Sequence, residues 1–341
     1  MVTQAQIARK LGVSRQLVSF ALAGYPPIAA KSRKRILSAA VKLGYRPNPH
    51  ARALRRQRTG IIALWTPDQI STHYTHVARE LGRLLKQSHI ELIVSEVGGE
   101  DAKLMLSNVP VDAICAVDAS KPVLIELEAL KAKAVPVVSL GTSWSRKTDS
   151  VRVDLLPGAV EAVDHLIGAG YRRIAHATFI RSDSATEGRR SGYLRAMRKA
   201  ALKPEFIYYP LTDRQRPMAR QLIRDYVRDQ GLPEAIFCHS DDVALGIYRG
   251  LCDSGVRVPD DVALVGCDGI EDTEYLGCPL TTLVQPVAGM CATAWQFLQQ
   301  RLEEPDAPVK CIVLQPTLSI RDSSRRLTGL PSPSIGDKAS C

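Results

Sequence analysis

Apolar positions in the first 45 residues recur at helical spacing. Ile7, Ala8 and Leu11 mark one amphipathic face, and Leu17, Val18, Ala21 and Leu22 a second. Thr3, with Gln6 three residues on, has the form of a capping box. Gly12 suits the left-handed position that ends a helix, and Ser14 is placed to cap the next one. Two short helices joined in this way predict a helix-turn-helix, whose second helix lies in the DNA major groove. A third helix is predicted from about Lys31 to Leu43, with Ile36, Leu37, Ala40 and Val41 facing inward.

From Thr59 the pattern changes. Short apolar runs at 61–65, 90–94, 113–117 and 135–140 alternate with amphipathic stretches at 75–87, about 101–107 and 121–133. The alternation then returns. Strands are predicted at 174–178, 235–238 and 262–266, and helices at 156–169, 185–201, 216–230 and 241–254, with a turn at Pro259-Asp260-Asp261. Continuous apolar strands separated by helices predict parallel sheets covered on both faces. The fold class is thus an all-α helix-turn-helix head plus an α/β body of two doubly wound parallel-sheet lobes. Ligands of such sheets bind beyond the carboxyl ends of the strands, so two facing lobes make a cleft there. A helix at 286–303 and a strand at Cys311–Leu314 follow. Residues 324–341 hold Arg, Ser, Pro and Gly without periodicity and read as a disordered tail, with no leucine heptad to join dimers into a tetramer.

Charge divides the chain at the same place as the pattern. The 341 residues carry a net charge of +10, yet residues 1–60 hold 13 Lys or Arg and no Asp or Glu, while the remainder holds 32 basic and 35 acidic side chains. A basic module on a near-neutral body fits a nucleic-acid-binding head. The eight cysteines form no C-x-x-C pair and most sit inside apolar runs, so they read as reduced core residues of a cytosolic protein. No apolar stretch reaches the roughly 18 residues of a membrane span, and the first residues lack a signal-peptide pattern. The expectation is a soluble, cytoplasmic protein with no membrane partner.

The spelling of the head is more specific than its geometry. Ile7-Ala8, Gly12-Val13-Ser14, Leu17-Val18-Ser19, Ser32-Arg33, Ala39-Ala40, Leu43-Gly44-Tyr45, Pro47-Asn48 and Ala51-Arg52-Ala53-Leu54 resemble the DNA-binding head of the lactose-repressor family of bacterial transcription regulators. The likeness runs on more loosely to about Arg321-Asp322-Ser323. It implies a helix-turn-helix domain at 1–46, a hinge helix or linker at 47–59, and a body at 60–323 with lobes of the periplasmic-binding-protein type. Lobe 1 is expected at about 60–155 and 286–318, lobe 2 at about 156–285, and the tail at 324–341.

The resemblance also assigns residues. Thr3, Ser14, Arg15, Gln16, Ser19, Phe20, Arg33, Asn48 and Arg52 are expected at the DNA. Arg pairs with guanine and Gln with adenine, whereas Phe20 departs from the family's usual Arg and suits a thymine methyl. Leu54 would be the apolar wedge in the minor groove. A helix as short as 50–57 is marginal alone and carries four mutually repelling arginines, so it would order only on DNA. In the cleft, Asp68, Tyr74, Arg189, Ser240, Asp268 and Gln285 match positions that hydrogen-bond small polar effectors, often sugars. Asp241 reads as a buried structural acid. Two departures bear on the effector. Gly141 stands where the family often has Asp or another polar residue, and Thr212-Asp-Arg-Gln-Arg216 lacks the aromatic that often stacks on the ligand. Arg181, Arg214 and Arg216 nearby raise an anionic ligand.

Catalytic motifs are missing. The chain has no P-loop and no G-x-S-x-G, and Gly246 and Gly250 fall in a helix. His73-x-x-His76 puts two imidazoles on one face without a third ligand at a recognisable spacing, so no metal and no cofactor is expected. The resulting expectation is a homodimeric, non-enzymatic transcription regulator, most often a repressor in this family. Its partners would be a pseudo-palindromic double-stranded DNA operator and a sugar, or a sugar-derived acid or phosphate. The alternatives are a solute-binding receptor without DNA function, or a sugar-processing enzyme fused to a DNA-binding head.

Overall fold

The computed structural model describes residues 2–23, 25, 28–45, 58–67, 71–97, 110–132, 135–179, 187–210 and 214–325. The chain forms two compact units, Met1–Thr59 and Gly60–Cys341.

In the first unit, α1 (Gln4–Leu11), α2 (Arg15–Ala23) and α3 (Ala30–Lys42) pack around Ile7, Ala8, Val18, Ala21, Ile28, Ile36 and Ala40. Both halves of the capping box at Thr3 form, and Gly12 ends α1 at φ 65°. The Ser14 hydroxyl accepts from Leu17 N at 3.1 Å. Ala29 gives α3 no side-chain cap. The inward face of α3 is narrower than predicted. Leu37 is 41% and Val41 80% exposed. Two short helices, α1 and α2, cover one stripe of α3, and Ile36 and Ala40, four residues apart, fill it. Leu37 and Val41 lie one step, about 100°, further round.

The second unit holds two six-stranded sheets. Lobe 1 contains β1 (Ile61–Thr66), α4 (Thr72–Gln87), β2 (Glu91–Glu96), β3 (Ala113–Val117), α5 (Lys121–Ala132), β4 (Val137–Gly141) and β5 (Asp149–Val153). Lobe 2 contains α6 (Leu155–Gly168), β6 (Ile174–Phe179), α7 (Gly188–Lys199), β7 (Glu205–Tyr209), α8 (Gln215–Gln230), β8 (Ala235–Cys238), α9 (Asp241–Asp253), β9 (Ala263–Asp268) and β10 (Thr281–Val284). α10 (Val287–Glu303) returns to lobe 1, where β11 (Cys311–Leu314) pairs with β5 in parallel. β12 (Thr317–Ser319) then pairs antiparallel with β10. Sheet order is β11-β5-β4-β3-β1-β2 in lobe 1 and β12-β10-β9-β8-β6-β7 in lobe 2.

Three expectations need correction. Lobe 1 ends before 318, because Thr317 and Leu318 join the lobe 2 sheet. That sheet is not wholly parallel, since its last strand arrives by a short reversal from lobe 1. The tail does not begin at 324, because Ser324 is buried and its hydroxyl meets Thr281 Oγ1 at 2.7 Å and His165 Nε2 at 2.8 Å. The helix expected at 101–107, the hinge at 47–57 and residues 326–341 lie outside the described residues.

Candidate functional site

On the head, Arg15 and Gln16 open α2 and are exposed, Ser19 is half-buried, and Phe20 is 37% exposed with its ring 5.3 Å from Tyr25. The first turn of α2 therefore presents a guanidinium and an amide beside unpaired backbone N–H groups, the arrangement that meets base edges and phosphates. Thr3 and Ser14 spend their hydroxyls on caps. The Arg33 Nη2 donates to the Tyr25 carbonyl, so this side chain braces the path from α2 to α3. Asn48, Arg52 and Leu54 lie outside the described residues.

In the body, the carboxyl ends of the strands converge on a charged cleft. β9 ends at Asp268, whose φ is 132°, followed by Gly269 at 74°. Two successive residues in the region favoured by glycine turn the chain sharply. Asp241, fully buried at the start of α9, holds that turn. Its Oδ2 accepts from Gly269 N at 2.7 Å and Ile270 N at 2.9 Å, and its Oδ1 from Thr282 Oγ1 at 2.6 Å. Asp241 is thus the structural acid the sequence pointed to. The turn presents the Asp268 carboxylate, and Gln285 Nε2 donates to its Oδ1 at 2.8 Å. Burial, opposed by Arg189 and the Gln285 bond, pushes the Asp268 carboxyl above its usual range.

Arg189 lies on α7 and contributes to the field at Asp268. Its Nε donates to Glu187 Oε1 at 2.8 Å and its Nη1 to the His239 carbonyl at 3.0 Å. Burial alone would raise Glu187, but Arg189 beside it, with His239 and hydrogen bonds, holds it down to about 2. Glu187 also caps α7 through Arg189 N and Arg190 N. Ser240 is the N-cap of α9, accepting from Val243 N at 3.3 Å, and its hydroxyl donates to Gln215 Oε1 at 3.3 Å. Tyr74 sits half-buried, 5.5 Å edge-on from His73. Asp68 and Arg181 lie outside the described residues. The structure thus joins Asp268 to Gln285 within Arg189's field and gives Ser240 to a cap.

Sequence reasoning missed several groups. His73 is 4% exposed, and neither ring nitrogen has a partner among the described residues. Burial lowers its pKa, and the charges acting on it come from both lobes: Asp118 on one side, Arg189, Asp241 and Asp242 on the other. Its place between the lobes was invisible in a pattern weighed only as a metal pair. Asp118 explains Gly141. A Cβ at Gly141 would stand 2.5 Å from Asp118 Oδ1, so this carboxylate occupies the space that a side chain there would take. Thr142 N at 2.7 Å and Oγ1 at 2.6 Å hold it.

A polar clasp joins the lobes. Thr72 N and Oγ1, at the start of α4, each donate to Asp242 at 3.1 Å. Arg216 bridges both, with Nε 2.7 Å from Asp242 Oδ1 and Nη2 2.8 Å from Thr72 Oγ1, and it also meets Asp272 at 3.2 Å. The anion-binding role raised for Arg216 is thereby taken up by two carboxylates. Among the described residues no group of three or more His, Cys, Asp and Glu is placed to hold a metal ion, and no helix is long and apolar enough to cross a membrane.

Residues 163–324 match the periplasmic binding protein-like domain family. The chain is 28% identical over 332 residues to the ribose operon repressor of Haemophilus influenzae, covering 95% of this chain and 98% of that protein. It is equally similar, 28% over 332 residues, to catabolite control protein A of Priestia megaterium, covering 95% and 99%. Among solved structures, a complex of the transcriptional regulator CelR with cellobiose superposes with a TM-score of 0.68 at 25% identity, over 95% of this chain and 100% of that one. A lac repressor dimer bound to operator and an anti-inducer superposes at 0.78 with 23% identity, over 95% and 99%, a likeness of fold.

Proposed function

Because this chain belongs to the lactose-repressor family of bacterial transcription regulators, we propose that it is a homodimeric repressor whose operator affinity is set by a small polar effector in the interlobe cleft. It is a regulator and not an enzyme. Arg15, Gln16 and Phe20 read base edges from α2. Asn48, Arg52 and Leu54 act at the hinge, with Leu54 opening a base step in the minor groove. The effector is hydrogen-bonded by Arg189, Asp268 and Gln285, with Tyr74 and Asp68 at the cleft. Ser240 contributes through the cap that orients α9. Its binding changes lobe closure, and closure decides whether two hinge segments pair on a pseudo-palindromic operator. As a repressor of chromosomal genes it works in the bacterial cytoplasm, on the nucleoid when bound.

The observation that carries this reading is the split of charge. Residues 1–60 hold 13 cationic side chains and not a single acid, and this stretch contains a helix-turn-helix whose first cap forms as its sequence requires. The cleft lies in the other unit, so DNA and effector act on different surfaces, the condition for reciprocal coupling. The test is selection from randomised DNA duplexes, followed by operator titration with and without the sugars that stabilise the protein thermally. A pseudo-palindrome is expected to enrich. Asp268→Asn and Arg189→Ala are expected to bind it as wild type does while requiring roughly tenfold to hundredfold more effector, since a charge-assisted hydrogen bond of about 1.5–3 kcal/mol is lost. Enrichment of no sequence, or folded variants that respond like wild type, overturns the assignment.

A further inference from the structure

We propose that the effector is a cationic polyol, a small hydroxylated molecule carrying a protonated amine that docks on Asp118 in lobe 1. This rests on the cleft being the effector site. The sequence alone left sugars, sugar acids and sugar phosphates open. The cleft's guanidinium groups argue against the anions. Arg189 is neutralised by Glu187, both side chains being about one-eighth exposed. Arg216 is neutralised by Asp242 and Asp272. His73 stands neutral between the lobes and adds no positive charge.

The carboxylates are less fully used. Asp118 takes both of its donors on Oδ1, and Asp268 takes Gln285 on Oδ1. Among the described residues no hydrogen-bond donor reaches either Oδ2. At Asp268 the Arg189 guanidinium is the largest neighbouring charge, and Asp242 and Asp118 add negative charge against it. In this buried space a charge without a partner costs more than in water, and a cation on Asp118 supplies one.

Two unpartnered groups mark where a ligand belongs. The Thr66 hydroxyl at the end of β1 is 2% exposed, and among the described residues neither it nor the His73 ring has a partner. Thr66 and Asp118 line one cavity of about 210 Å³ with Trp65, Pro67, Ser120 and Val123. That is below the roughly 300–1,000 Å³ of drug-sized sites, so it admits one small group. An ammonium there donates to Asp118 Oδ2 and to the Thr66 oxygen, and has no lone pair that would need a donor. A neutral imidazole offers one donor and one acceptor, which a ligand hydroxyl matches in both senses. Further hydroxyls meet Asp268 and Arg189 from lobe 2.

The experiment is calorimetric titration of the full chain with matched sets in the gluco, galacto and manno series: hexose, 2-amino-2-deoxyhexose, and hexose 6-phosphate. In at least one series the amine is expected to bind tenfold or more tighter than its parent sugar, and the phosphate not to bind. Asp118→Asn keeps the shape and the Thr142 bonds. It is expected to erase the amine's advantage over the parent sugar, and to raise the ligand-free melting temperature by removing surplus charge. The proposal is overturned if no amine binds, if a parent or a phosphate binds as tightly, if Asp118→Asn keeps the advantage, or if its ligand-free melting temperature falls. Binding of a parent sugar that Asp268→Asn abolishes leaves the cleft assignment standing while the amine falls. Binding that neither Asp118→Asn nor Asp268→Asn affects removes the cleft assignment itself.

Discussion

Single residues in the cleft act through their supports. Asp241 touches no cleft space of its own, yet three donors depend on it, and it shapes the turn that presents Asp268. Gly266 is required beside it, since a Cβ there would lie 2.0 Å from Asp241 Oδ1. Asp241→Ala strands the buried Ile270 N–H and Thr282 hydroxyl and the part-buried Gly269 N–H. Each costs about 1–3 kcal/mol, so the variant is expected to lose about 3 kcal/mol or more in urea unfolding. A loss below 1 kcal/mol would show the turn standing by itself. His176 shows how burial links to pH. It is fully buried, stacked 5.0 Å from Phe237, with Nδ1 donating to the Phe237 carbonyl at 2.9 Å. Burial lowers its pKa to about 4. The folded state keeps it neutral, so its contribution is full above pH 6.5 and is lost as pH falls from 6.5 to 4. The most it contributes is about 3 kcal/mol. His176→Phe is expected to flatten the dependence of unfolding free energy on pH in that window. An unchanged slope would assign the acid sensitivity elsewhere.

Among the elements, helix starts do most of the positioning. The first turns of α4, α7 and α9 bring Thr72, Arg189 and Asp242 to the cleft, each at the carboxyl end of a preceding strand. Strand–helix alternation produces this arrangement, and it explains why the clasp forms between residues 170 apart. The clasp crosses the cleft between the lobes and belongs to neither core. Arg216 is partly exposed, so its ion pairs with Asp242 and Asp272 contribute little to global stability. Arg216→Ala is therefore expected to shift the unfolding midpoint by less than about 1 kcal/mol. Amide exchange of residues 72–77 should accelerate severalfold, because Thr72 keeps Asp242 as its sole clasp partner. Unchanged exchange there would mean that closure rests on other contacts. Elsewhere Arg301 and Asp149, 6% and 3% exposed, pair at 2.9 Å and tie α10 to β5, fixing the crossover within lobe 1.

At the scale of the whole molecule, function depends on keeping two chemistries apart. The head carries the positive charge and the body the cleft. Roughly 6–10 phosphate contacts per dimer are expected from the basic head, so operator affinity should fall by roughly 10³–10⁵ between 50 and 200 mM salt. A nearly flat plot of log affinity against log salt would contradict an electrostatic head. The fragment 60–341 is expected to bind effector and no DNA. Leu54→Ala is expected to weaken operator more than random DNA, because only a bent operator gives the contacts that offset opening a base step.

The sequence alone determined the head, the boundary near residue 60 and the strand–helix alternation, because each rests on neighbours in the chain. Caps, turns and amphipathic spacing act within a few residues, and charge is additive along a segment. Arg189, Asp268 and Gln285 were singled out by the family resemblance, and the structure places Gln285 on Asp268 with Arg189 acting on its charge. The shorter strands were not legible. β10 begins with Thr281 and Thr282, polar residues that are fully buried because Asp241, Ser324 and the Arg321 carbonyl satisfy their hydroxyls. β5 opens on Asp149, whose charge is matched by Arg301. In both strands the polarity that hid them is neutralised by a distant partner. The same holds in the cleft, where Asp118 fills the space beside Gly141, Thr72 meets Asp242, and His73 stands unpartnered between lobes. Only the tertiary structure decided these, since burial and pairing across more than 20 residues depend on how the layers stack and leave no periodic trace in the chain.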